Sequence, residues 1–499
     1  MQLQFHKSDV SCLQRVVDQV QNQEQTQELR LPENMPDIGS VLASWGQCVI
    51  RSKEWRGNTM TASGGVMVWV LYEPEGGGTP CALETWIPFQ MKWNIADTEN
   101  DGIMQIVCMT RFVDARSVSA RKLMIRVGVC AQAEAFCNSK MEIYTPTELP
   151  EDIQLLKNTY PLCLPAEAGE KAFALEEDLT LPASGGKIEK IIYYSLHPEI
   201  IDKKVMAGKA VFRGSAVLHI LYQGDDGKMH NWDFEIPFSQ FTELDRDYEQ
   251  DTQMKITPAL TGLELELDQE GLLHLKAGIT AQYVVYTCQM TEVVEDAYSP
   301  TRVVTLQKEY QTLPMLLDMQ TDTVRAEATS QMDAETVADV AFYPQCPQLV
   351  LEDENMMAQM SAEFQGICYD DLGEAHGFKG RWEDQWSIPA DMDTTSCVQL
   401  AVTGNPQAVA SADSIQMRGD IALDIQTYAR GGLEMVIGLE LGQEKRCDDV
   451  RPSLIVCKAG TDSLWQIAKE NSTTQEAIRQ ANNLQGEPDP EQLLLIPII

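Results

Sequence analysis

One strand-like pattern occurs three times in this chain, and that recurrence constrains the fold more than any single motif. Segment 123–132 reads Leu-Met-Ile-Arg-Val-Gly-Val-Cys-Ala-Gln, and segment 273–282 reads Leu-His-Leu-Lys-Ala-Gly-Ile-Thr-Ala-Gln. The two align without a gap, apolar on apolar, with Arg126 over Lys276 and Gly128 over Gly278. A weaker third copy, 415–424, reads Ile-Gln-Met-Arg-Gly-Asp-Ile-Ala-Leu-Asp. Self-similarity at long intervals signals a repeated structural unit, and repeats of this length form tandem domains rather than a solenoid.

Two further landmarks recur upstream. Segments 64–72 and 214–222 run from a glycine to Tyr72 and Tyr222, and segment 363–369 ends on Tyr369. After a Gly- or Asp-rich turn come Trp86-Ile87-Pro88-Phe89, then Glu235-Ile236-Pro237-Phe238, and in the third copy Trp386-Ser387-Ile388-Pro389. Short runs with period-two patterning, split by such turns, predict antiparallel hairpins. The expected layout is an N-terminal extension over 1–30, unit 1 over 31–148 and a Pro- and Glu-rich linker over 149–182. Unit 2 follows over 183–302 and a divergent unit 3 over 322–446, with Thr312 to Pro314 as the break between them. The expected class is mainly β, each unit burying its own core as an antiparallel β-sandwich or barrel-like domain, strung like beads.

A small module over 453–499 closes the chain, in the order strand, helix, helix, strand. Residues 454–457 (Leu-Ile-Val-Cys) and 493–496 (Leu-Leu-Leu-Ile) are apolar runs of strand type. Ser463 followed by Gln466 is a capping box that starts a helix near Leu464. Thr473 with Glu476 predicts a second one, whose apolar face is Ala477, Ile478 and Ala481. A domain this small needs nearly every apolar side chain inside, so Leu464, Trp465, Ile467, Leu484 and Ile496 read first as core.

These residues resemble a LysM domain, whose pattern of Gly-Asp-Ser-Leu-Trp-x-Ile-Ala, Asn-Asn-Leu and a closing Ile-Pro they follow in order. The resemblance implies a βααβ fold. It also implies ligand- or partner-binding positions at Gly460, Thr461, Asp462, Ser463, Leu464, Trp465, Asn482, Asn483, Leu484, Gln492, Ile496 and Pro497. Thr461 is an extra residue between the Gly and the Asp, and Glu491-Gln492 stands where the family has Gly-Gln. Both changes fall beside the loops with which LysM domains hold N-acetylglucosamine chains, so a protein ligand is expected ahead of peptidoglycan. Several β units followed by one LysM domain resemble the SipL-type spore-coat morphogenetic proteins of Clostridia-type bacteria. That resemblance implies a scaffold in the mother-cell cytoplasm, at the forespore surface. Its partners would be a coat ATPase of the stage IV sporulation protein A type and other coat proteins. The alternative is a peptidoglycan-binding protein of the cell wall.

Composition narrows the field further. Asp plus Glu number 75 against 38 Lys plus Arg, a net charge of −37, so nucleic acid and anionic lipid are poor partners. No apolar run is long enough to span a bilayer, and Met1 to Asp9 show no secretory pattern. The thirteen cysteines, without a Cys-x-x-Cys, are read as reduced, mostly buried thiols of an intracellular protein. No phosphate-binding Gly-rich loop, serine nucleophile elbow or His-Glu-x-x-His helix is present, so no catalytic residue, cofactor or metal is expected. His219 and His274 read as strand-face histidines, and Trp86, Trp382 and Trp386 as core rather than a sugar platform. Glu243, Asp245, Asp247, Glu249 and Asp251 alternate, which predicts one hydrated face of a strand, with a divalent cation as the minor alternative.

Overall fold

The computed structural model describes residues 2–95, 102–147, 149–249, 252–312, 315–352, 355–388, 394–411, 413–445 and 453–498. It is built almost wholly of antiparallel strands. Unit 1 contains β1 (Gln2–Arg30), β2 (Ile38–Arg56), β3 (Thr59–Pro74), β4 (Cys81–Asn94), β5 (Ile103–Ser119) and β6 (Lys122–Pro146). Strands β2, β3 and β4 form one sheet, and β1, β6 and β5 pair in that order in a second. Val66, Val68 and Val70 on β3 meet Ile125, Val127 and Val129 on β6, so the two sheets close over a single apolar core.

Unit 2 repeats this plan with β7 (Gln154–Leu179), β8 (Ile188–Met206), β9 (Lys209–Gly224), β10 (Met229–Glu243), β11 (Gln253–Leu267) and β12 (Leu273–Tyr298). Its sheets are β10-β9-β8 and β11-β12-β7. Unit 3 comprises β13 (Arg302–Thr312), β14 (Leu316–Gln331), β15 (Thr336–Glu352), β16 (Asn355–Tyr369), β17 (Ala375–Ile388), β18 (Thr394–Ser411), β19 (Ser414–Ala429) and β20 (Gly432–Glu444). Here the long first and last strands are each split in two. β14 pairs with β19 and β13 with β20, so the pair of halves does what β1 and β6 do unbroken.

Three segments differ from the sequence reading. Residues 1–30 are not an extension: β1 pairs with β6 from Phe5 to Arg30. Residues 149–182 are not a linker: β7 pairs with β12 along nearly its whole length, from Gln154 to Leu179. Unit 3 starts at Arg302 rather than 322, because β13 is bonded to its final strand. Leu313 and Pro314, read as the break before unit 3, lie outside the described residues, as does Pro389. The acidic run leaves the strand at Glu243; Asp245, Asp247 and Glu249 are exposed on a loop, and Asp251 lies outside the described residues. The Tyr landmark also slips in unit 3. Tyr72 and Tyr222 are buried inside their sandwiches, donating to Pro36 O and Gly185 O. In unit 3 Cys368 holds the inward place, and the Tyr369 hydroxyl accepts from Met229 N of unit 2. A shift of one residue moves a side chain to the opposite face of a strand.

The units are not beads. They meet around a common centre. Gln282 on β12 exchanges two hydrogen bonds with Ile106 on β5, at 2.8 and 2.9 Å. Gln132, the same repeat position in unit 1, donates to Val398 O on β18 at 3.3 Å. Thr403 on β18 in turn donates to Glu199 on β8 at 3.3 Å, which completes the circle. Phe136, Tyr286 and Tyr428, one from each unit, share a buried cluster, with the two tyrosine hydroxyls 3.1 Å apart.

Beside them lies a buried charge network. Glu134 of unit 1 accepts from Lys255 of unit 2 at 2.6 Å and from Arg15 at 3.3 Å, while Arg15 covers the Tyr428 ring of unit 3 at 4.4 Å. Asp18, Glu134 and Cys397 lie close enough to hold a metal ion, but Arg15 and Lys255 already pair with the carboxylates. A second such contact joins units 2 and 3, where His219 sits between Asp233 at 2.6 Å and buried Asp339 at 2.8 Å. Burial alone would lower the pKa of His219, but Asp339 and Asp233 outweigh it and raise it to about 10. His274 is a half-exposed strand residue beside Asp178.

The expectation of thirteen reduced thiols is also corrected. Cys130 of unit 1 is bonded to Cys346 of unit 3, and Cys163 to Cys288 across β7 and β12. Neither pair was legible in the sequence, because the partners lie 216 and 125 residues apart.

Candidate functional site

The closing module contains β21 (Leu454–Lys458), α1 (Leu464–Glu470), α2 (Gln475–Asn482) and β22 (Leu493–Pro497), with β21 and β22 antiparallel. Ser463 caps α1 as expected, its hydroxyl accepting from Gln466 N at 3.3 Å. The second cap is Thr474 rather than Thr473, accepting from Ala477 N. Thr473 is fully buried instead, and its carbonyl accepts from the Tyr298 hydroxyl at 2.9 Å.

That bond belongs to a dock between the module and the end of β12. Trp465 is 8% exposed and meets the Tyr298 ring edge-on, with centroids 4.8 Å apart. Its indole N–H donates to Asp296 at 2.8 Å, and Lys469 donates to the same oxygen at 2.6 Å. Lys445 adds a bond to the Ser472 hydroxyl. Burial would raise the Asp296 pKa, but the hydrogen bonds from Lys469 and Trp465 outweigh it and hold the carboxyl below its usual range. The stabilisation from this group is therefore present above the ordinary aspartate value and lost as pH falls through the lower, folded one. Asp296→Asn is expected to lower the melting temperature of the module at neutral pH, by about 1–2 kcal/mol in stability. It should also flatten the acid side of its pH dependence. An unchanged acid limb in a calorimetric pH series would contradict this dock.

The twelve positions named from the sequence divide into three groups. Leu464, Trp465 and Ile496 are buried in the module's core with Ile467 and Ile478, and Leu484 packs on its edge. Gly460, Thr461, Asp462 and Ser463 are exposed on the loop before α1, where Gly460 takes φ +64 and so fits a glycine. The third group is Asn482, Asn483, Gln492 and Pro497. Asn482 bonds both the N–H and the carbonyl of Leu495, at 2.7 and 2.6 Å. Asn483 ends α2 in the left-handed conformation. Gln492 O accepts from Ala459 N and Pro490 O from Gly460 N, which clips the two loops together. Pro497 pairs with Leu454.

Sequence reasoning missed Asp296, Tyr298, Lys469 and Glu487. Glu487 accepts from Leu464 N at 2.8 Å, covering a free amide at the start of α1 from the facing loop. An acidic residue suits a helix N-terminus, but a loop partner 23 residues away carries no local spacing signal. On the far side of the module, Leu454 (45% exposed), Val456 (58%), Leu493 (67%) and Leu495 (39%) present an open apolar ladder face.

Residues 187–268 match the family described as SipL, SPOCS domain, and residues 461–497 match the LysM domain family. The first match covers β8 to β11 of unit 2; the second covers the module from the loop before α1 to β22. One segment of unit 2 is thus similar to the SipL SPOCS domain, a sporulation-related family, and the C-terminal module is similar to a LysM domain. Both are binding domains of non-catalytic type, and LysM domains bind peptidoglycan or partner proteins. No curated protein and no solved structure matches the chain. Among the described residues no helix is long and apolar enough to cross a membrane.

Proposed function

We propose that this chain is a non-enzymatic scaffold of the spore coat. Its three-unit body holds the LysM module in a fixed orientation, and the module tethers the chain to a partner protein at the forespore surface, on the mother-cell side. By the family resemblance, that partner is a coat ATPase of the stage IV sporulation protein A type, with other coat proteins on the body. The observation that carries this reading is the open apolar face of Leu454, Val456, Leu493 and Leu495. A contiguous exposed apolar patch on so small a module suits a protein surface. Two further features agree. Trp465 is engaged by the body and the Leu464 amide by the Glu487 carboxylate, so neither is free to meet a glycan.

The test uses the full chain with the purified ATPase and, separately, with purified peptidoglycan. Saturable binding to the ATPase is expected, together with loss of it in a Val456→Lys, Leu493→Lys variant that keeps its melting curve. Sedimentation with peptidoglycan and no binding to the ATPase would overturn the reading.

A further inference from the structure

A cavity of about 170 Å³ lies at the centre where the three units meet. Its walls come from the same two strands of each unit. β5 contributes 107–110, β11 contributes 257–260 and β18 contributes 400–402 and 404–406, while β2, β8 and β15, with His219 of β9, supply the rest. A single unit cannot make it.

Three observations set it apart from a packing defect. None of the described residues that line it is Asp, Glu, Lys or Arg, in a chain with 75 acidic and 38 basic residues. His219, at its edge, is charged but is held between Asp233 and Asp339. Second, polar groups on the wall lack partners. The half-buried His197 ring makes no side-chain hydrogen bond among the described residues, and desolvation, with the charged His219 nearby, pushes its pKa down to about 4. Its ring is therefore neutral at physiological pH, with one donor and one acceptor. Thr110 is 7% exposed, and its hydroxyl is also without a partner among the described residues. Native proteins rarely leave buried polar groups unpaired without a reason.

Third, the threefold likeness breaks here. β5 and β11 each carry a one-residue bulge, between Thr110 and Phe112 and between Leu260 and Gly262. In β18 the bulge lies one residue further on and is three residues long, Gly404-Asn405-Pro406, with Gly404 at φ +66. These three residues line the cavity. Such bulges re-aim strands beside functional sites. Thr110 is likewise matched by the apolar Leu260 and Val402 in the other units. The walls are thus mainly apolar, with a few polar groups such as Thr110 and His197 set among them.

We infer that this central cavity binds a small uncharged molecule, mainly apolar and with one hydrogen-bonding group, of about the size of a phenol. An apolar cavity of roughly 150 Å³ accepts benzene, which sets the scale. The wall chemistry excludes a bare anion or cation, since no free countercharge is present to replace its lost hydration. This site is separate from the LysM module and does not depend on the partner proposed above.

The probe is phenol, titrated into the full chain and followed by the methyl resonance of Met109, which lines the cavity. A saturable shift with a rise in melting temperature is expected, and benzoate, the charged counterpart, should produce neither. His197→Phe removes the hydrogen-bonding ring but keeps the bulk, so phenol affinity should fall roughly tenfold while benzene binding persists. Ala401→Trp, at an exposed lining position, should abolish both. No saturable phenol shift, equal binding of benzoate, or phenol binding untouched by Ala401→Trp would each overturn the inference.

Discussion

Glu134→Ala is expected to destabilise the three-unit body by about 3–5 kcal/mol, as a drop in the urea midpoint without a change of slope. The Glu134 carboxylate is 4% exposed and faces Lys255, itself 4% exposed, at 2.6 Å. Removing it strands an ammonium group whose one other side-chain partner among the described residues is the Gln426 oxygen at 3.4 Å. It also leaves Arg15 with Asp18 alone. Burial would raise the Glu134 pKa, but Lys255 and Arg15 outweigh it and hold the carboxyl below its usual range. Its contribution is therefore present above the ordinary glutamate value and lost as pH falls through the lower folded one. A paired Glu134→Leu, Lys255→Met variant should recover most of the loss, because replacing both partners of a buried pair by apolar residues of similar size is often neutral. These groups come from units 1 and 2 and touch unit 3, so a cost below about 1 kcal/mol for Glu134→Ala would contradict their convergence.

The second large effect concerns Trp465. Trp465→Ala is expected to cost the LysM module about 3–5 kcal/mol, seen as an early, separate step in the thermal unfolding of the full chain. The substitution removes a buried indole, its edge-on contact with Tyr298 and its bond to Asp296. Trp465→Phe should keep most of the packing and lose only about 1 kcal/mol, the value of the hydrogen bond. If Trp465 instead anchored an external ligand, the alanine variant would bind less and melt unchanged.

Much of the module was legible because its signals are local. Ser463 with Gln466 and the apolar pair Leu464-Trp465 act within a few residues of one another, and each lies where its pattern placed it. The repeat was legible for the same reason, since β6 and β12 are central strands with buried runs such as Val127 to Ala131 and Ile279 to Ala281. Their partners were not. In β1, Gln21, Gln23, Gln25 and Gln27 occupy the half-buried positions, so no alternation of apolar and polar residues marks the strand. In β7, Pro161 and Pro165 suggest a linker. β7 is an edge strand, where a missing N–H is tolerated. Pairing between the units was beyond local reading altogether. Gln282 meets Ile106 across 176 residues and Trp465 meets Asp296 across 169, and neither pair obeys a spacing rule.

The central structural claim is that the chain closes three sandwiches around one centre, using segments that look like an extension and a linker. Amide hydrogen exchange of the full chain tests it most directly, read over Gln2–Arg30 and Gln154–Leu179. The amides of Phe5 to Arg30 and of the interior of Gln154–Leu179 that point at β6 and β12 should exchange as slowly as those strands, with protection lost only on global unfolding. Rapid exchange across either segment, at the rate of an exposed loop, would contradict it.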